Sequence, residues 1–108
     1  MGKKKADKGL TATIRLSAGN PNAVQITETA KYDLLAHNLT KADICDAICD
    51  WIDAGKPVDT VTMKGRDAGS TGYVMKPTIS GKGYYVKVLL RDIGGGRILL
   101  IISTHPDH

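Results

Sequence analysis

The residue types able to move a proton or hold a phosphate are concentrated in the second half of the chain. His105 carries an imidazole, whose ordinary titration range spans neutral pH, and Tyr85 a phenol. Lys64, Arg66, Lys76, Lys87, Arg91 and Arg97 carry fixed positive charge. This set fits one reaction well: attack of a ribose 2′-hydroxyl on its neighbouring phosphodiester. A base removes the hydroxyl proton, cations stabilise the developing phosphorane oxygens, and an acid protonates the departing 5′-oxygen. His105, Tyr85, Lys64 and Arg66 are the candidates for proton transfer and charge stabilisation. Lys76, Lys87, Arg91 and Arg97 are the candidates for holding the phosphate backbone. The scheme calls for no metal and no cofactor, but it does call for one surface.

Strand alternation supplies that surface. After Pro57 the apolar period changes from 3.6 to 2, which predicts strands over 58–64, 73–79, 84–91 and 97–104. A Gly/Ser-rich loop, a Ser80-Gly81-Lys82-Gly83 turn and the 92–96 connection join them. The last two links are short enough for antiparallel hairpins. Alternation puts Tyr84, Val86, Val88 and Leu90 on one side of their strand and Tyr85, Lys87, Leu89 and Arg91 on the other. In the final strand it groups Arg97, Leu99, Ile101, Ser103 and His105. In the first it aligns Lys64 and Arg66 with Thr60 and Thr62. Each strand then has an apolar side for packing and a cation on the reverse, and Tyr85 adds an aromatic ring able to stack on a nucleotide.

Helices must cover the apolar side. Residues 27–37 read as one helix, with Ala30, Leu34 and Leu35 apolar and His37 near its end, where a helix dipole favours a cation. His37 is therefore a capping residue and a secondary catalytic candidate. A second helix follows from Thr40-Lys41-Ala42-Asp43, a capping-box pattern. Ile44, Ala47, Ile48, Trp51 and Ile52 recur at helical spacing, with Asp43, Asp46, Asp50 and Asp53 opposite. Gly55 and Pro57 end it. Before these elements, residues 1–9 read as a disordered basic arm, and Thr11 to Leu16 as a short strand leading to a turn at 19–22. The expected architecture is α+β: two N-terminal helices packed on one face of a four-stranded antiparallel sheet, in a single domain over 10–108.

Charge is segregated along the 108 residues, whose net charge is +4. Residues 1–23 sum to +4, residues 24–55 to −4 and residues 56–108 to +4. Separation of sign gives a positive face that attracts phosphodiesters. No apolar run approaches the roughly 20 residues of a membrane span, and no secretory signal is visible, so a cytoplasmic location without membrane attachment is expected. Cys45 and Cys49 lie four apart, on one stripe of a helix, without a second Cys/His pair to complete a metal site. They read as small buried thiols.

The stretch Gly72-Tyr73-Val74-Met75-Lys76-Pro77-Thr78-Ile79-Ser80-Gly81-Lys82-Gly83-Tyr84-Tyr85-Val86-Lys87-Val88 resembles the core of the MqsR (motility quorum-sensing regulator) toxins. The shared pattern is a basic-Pro pair, a Gly turn and a Tyr-apolar-Lys-apolar strand. The strand at 98–103 and the helix at 40–53 are similar in place and character, so the likeness spans roughly 28–106. It implies a RelE-like endoribonuclease toxin that acts on mRNA and is neutralised by a cognate antitoxin. It also implies that Tyr85 holds the place of the family's active-site Tyr, and that His105 stands where the family has a catalytic Lys. The family's other Lys finds a substitute only in Lys64 or Arg66, and its Gln falls near Gly72. Two alternatives use the same surface: a non-catalytic RNA-binding module, and an interaction protein that docks a peptide along the sheet edge.

Overall fold

The computed structural model describes residues 5–63, 69–93 and 96–107. The class is α+β, but the described residues form three α-helices and a mixed sheet of six strands in place of two helices on four antiparallel strands.

The first difference is α1 (Lys8–Ala18). Asp7 caps it by accepting the Leu10 N–H at 2.8 Å. The alternation over Thr11 to Leu16 predicts a strand, in which Ile14 and Leu16 would share a face. Ile14 is 0% exposed and Leu16 is 78% exposed, as a helix requires of residues two apart. Residues 5–9, expected within the basic arm, take part in the fold, and Lys8 and Gly9 open α1. Lys5 bridges Asp59 of the sheet, and the Ala6 N–H donates to the Val58 carbonyl at 2.8 Å. Residues 1–4 lie outside the described residues.

A 3-10 turn (Pro21–Ala23) leads into β1 (Val24–Ile26) and α2 (Glu28–Ala36). Three residues are too few for alternation to announce β1. The capping box of α3 (Lys41–Asp53) forms as the sequence predicts: the Asp43 N–H donates to the Thr40 hydroxyl at 3.2 Å and the Thr40 N–H to the Asp43 carboxylate at 2.8 Å. Thr40→Ala should lower stability by about 1 kcal/mol, read as a shifted urea midpoint with unchanged slope. Ile44, Cys45, Ala47 and Ile48 are buried, and all four aspartates of the opposite face are exposed. One of them, Asp53, accepts from Arg15 at 2.9 Å and ties α3 to α1. No helix among the described residues is long and apolar enough to cross a membrane.

The sheet consists of β1, β2 (Asp59–Thr62), β3 (Thr71–Met75), β4 (Thr78–Ile79), β5 (Lys82–Ile93) and β6 (Gly96–Pro106). Its order is β1-β6-β5-β3-β2, with β4 paired to β5. The strand expected over 73–79 divides at Lys76-Pro77, where proline has no N–H for the ladder. The Pro77 carbonyl still accepts the Tyr84 N–H at 2.9 Å. Ser80 (φ 52°) and Gly81 (φ 81°) make the two-residue β4–β5 turn, both left-handed as a type I′ hairpin requires. At the far edge β1 runs parallel to β6. The helices cover one sheet face, where Ile14, Ile44 and Ile48 join Tyr84, Val86, Val88, Leu99 and Ile101 in the core.

Candidate active site on the outer sheet face

One extra residue in β6 decides what the outer face can do. From Ile93↔Gly96 to Val88↔Ile101, β5 and β6 pair in one register; from Lys87↔Ser103 to Tyr84↔Pro106 they pair in another. Ile102 is the inserted residue, a β-bulge. Unbroken alternation would put His105 on the side of Leu99 and Ile101. The structure buries those two against the helices, both 0% exposed, so the expected grouping is wrong. Across the bulge the pattern inverts: Thr104, also 0% exposed, turns toward the helices and His105 turns outward.

Tyr85 and His105 are therefore directly opposed across the two strands. Their rings stack, with centroids 5.1 Å apart and planes 12° from parallel. The His105 Nδ1 lies 3.1 Å from the Pro106 carbonyl. A carbonyl only accepts, so this contact places the proton of the neutral ring on Nδ1 and leaves Nε2 as the basic nitrogen. Burial and then the negative charge of Asp107 raise the Tyr85 phenol above its ordinary value. Both causes oppose the phenolate, so Tyr85 stays a proton donor at neutral pH. The prediction is that ultraviolet titration of wild type minus Tyr85→Phe shows this phenol ionising only above pH about 10. A midpoint below 10 would contradict it.

Two cations attend the pair. Lys87 is half-buried, on the same side as Tyr85, between Val74 of β3 and Ser103 of β6. Lys76, exposed just past β3, approaches Asp107 at 3.9 Å. Asp107 itself is held by its N–H on the Gly83 carbonyl at 2.9 Å. Ser103 entered the sequence reading only as a residue on the side of His105, and Asp107 had no part in it, although a period of two from His105 points to Asp107.

The other predicted residues fall elsewhere. Arg91 is on the outer face but six residues along β5 from Tyr85, roughly 20 Å at about 3.3 Å per residue. Arg97 shares its side of β6 with Leu99, not with His105, and lines an open cleft with Thr13, Leu16 and Ser17 of α1. Its guanidinium binds Asp92 at 2.9 Å. His37 caps the end of α2 and meets the core-facing Tyr84 edge-on at 5.8 Å, on the opposite sheet face from His105. Lys64 and Arg66 lie outside the described residues. Nor is the outer face a continuous cationic plane, because Val74 and Leu89 are 1% and 3% exposed within it. At Gly72 a Cβ would stand 2.7 Å from the Met63 sulfur, so no longer side chain fits there while Met63 keeps its place.

The two cysteines are free thiols, and burial pushes both up from their ordinary range. Native protein at pH 8 should react with a disulfide reagent about tenfold or more slowly than unfolded protein, because only the thiolate attacks. Among the described residues no group of three or more His, Cys, Asp or Glu is arranged to hold a metal ion. No family model matches the chain, and neither does a curated protein or a solved structure.

Proposed function

We propose that this chain is an endoribonuclease of the toxin-antitoxin kind, cutting mRNA by 2′-hydroxyl transphosphorylation in the cytoplasm. The observation that carries the reading is the stacked Tyr85–His105 pair on the outer sheet face, with Lys76 and Lys87 beside it. The His105 Nε2 takes the 2′-hydroxyl proton as the oxygen attacks phosphorus. The protonated Tyr85 gives its hydrogen to the departing 5′-oxygen, leaving a 2′,3′-cyclic phosphate and a 5′-hydroxyl end. Lys76 and Lys87 stabilise the phosphorane oxygens. Since side chains fill all three roles, the step requires neither metal nor cofactor. The resemblance to MqsR-type toxins supports the same reading and adds a cognate antitoxin protein as partner.

The deciding experiment incubates purified protein with single-stranded RNAs of varied sequence in EDTA and maps the ends. Cyclic phosphate ends produced by wild type, and lost in His105→Ala, are expected. Folded wild type that leaves every RNA intact defeats the reading. Salt-sensitive RNA binding without turnover would replace it with the non-catalytic module.

A further inference from the structure

The inserted residue that turns His105 outward has backbone groups the β5–β6 ladder does not serve. On the other edge of β6, β1 reaches only Ile101. Thr27 takes over from there. Its N–H donates to the Ile101 carbonyl at 3.0 Å, and its hydroxyl donates to the carbonyl of Ile102 at 3.2 Å. The same hydroxyl accepts the Ala30 N–H at 3.2 Å, as the N-cap of α2. Beyond the bulge, the Thr104 hydroxyl donates to the Ala30 carbonyl at 3.4 Å, and the next residue is His105. The first turn of α2 thus grips β6 on both sides of its irregularity.

We infer that Thr27 is a positioning residue for His105: its hydroxyl fixes the bulge that sets the imidazole against Tyr85. The inference rests on the reading of His105 as the proton-transfer group. Thr27 also has an ordinary structural duty as a helix cap, and α3 offers a matched control for that duty. Thr40 caps α3 in the same way, its hydroxyl accepting the Asp43 N–H. Thr27→Ala and Thr40→Ala each remove one cap hydroxyl, but only the first removes a contact to Ile102. Thr27→Ser restores both functions of the hydroxyl.

The test follows three readouts in the folded full chain: the nuclear Overhauser contact between the Tyr85 and His105 rings, kcat and KM on single-stranded RNA, and the melting temperature. Thr27→Ala should lose the ring contact and lower kcat by about tenfold to a hundredfold, with KM nearly unchanged, because misplacing a reacting group costs the chemical step. Thr40→Ala should melt lower by a similar amount and keep both ring contact and kcat. Thr27→Ser should keep all three readouts within about twofold of wild type in rate. A Thr27→Ala variant that retains ring contact and kcat overturns the inference, and so does a Thr40→Ala variant that loses kcat equally. If wild type shows no His105-dependent cleavage, the ribonuclease reading falls, and the ring contact alone still decides whether Thr27 places the imidazole.

Discussion

His105→Ala should lower the rate of RNA cleavage by about 10²- to 10⁴-fold, the usual share of a positioned acid–base group. The fall should appear in kcat rather than KM, since in the proposed mechanism the imidazole moves a proton and does not hold the substrate. Stability should barely change. His105 is exposed and its ring bonds its neighbour's carbonyl, so truncating the side chain opens no cavity. Single-turnover cleavage beside a thermal melt separates the two effects. Full activity in the variant would remove His105 from the reaction. His105→Lys is the informative companion, because it places an ammonium where the resembled family has one. It should recover part of the rate only at alkaline pH, where a lysine begins to lose its proton.

The second large effect is expected from deleting Ile102 together with Ser103. Removing Ile102 alone cancels the extra residue and leaves every later residue on its present side, but removing Ser103 as well shifts the count by one more, so that Thr104 and His105 change side. His105 would then take a place on the helix side, against α2, where Thr104 is now fully buried. Enclosing an imidazole without a partner, together with losing the Thr104 contacts, should cost about 3–5 kcal/mol. Cleavage should vanish with the Tyr85–His105 stack. Deleting Ile102 alone keeps His105 opposite Tyr85 and should retain the stack and most of the activity. If the double-deletion protein melts like wild type and still cleaves RNA, the residue count of β6 does not govern the placement of His105.

Much of this architecture is legible in the sequence where several local signals agree. Helix α3 has a capping box, an apolar stripe and a Gly/Pro stop, and it forms within a residue of expectation. The alternation of Tyr84 to Val88 correctly turns Tyr85 and Lys87 away from the core. Legibility fails where one residue changes the phase or where pattern and packing disagree. Thr11 to Leu16 alternates like a strand, but the Asp7 cap and the burial of Ile14, Ser17 and Ala18 make it helix. Strand β1 owes its existence to a distant partner, β6, and its three residues hold no internal period. At Ile102, a strict count of two carries Leu99 and His105 to the same face. Only the packing of Leu99, Ile101 and Thr104 against the helices shows that the count breaks. The candidate catalytic pair was named from residue type, while its geometry depends on an insertion that residue type does not announce.

The parallel union of β1 with β6 also sets a clock on synthesis. Thr27 and Ile102 stand 75 positions apart, so the chain emerges with β1 and the apolar side of α2 long before their partner exists. At about 5–20 residues per second, translation leaves that interval open for roughly 4–15 s. During it, Val24, Ala30 and Leu34 have no strand β6 to cover them, although each is almost fully buried in the finished fold. The late closure of this long-range contact leaves the half-made chain adhesive. Ribosomes stalled before β6 should therefore carry nascent chains that are bound by chaperones and unable to cut RNA.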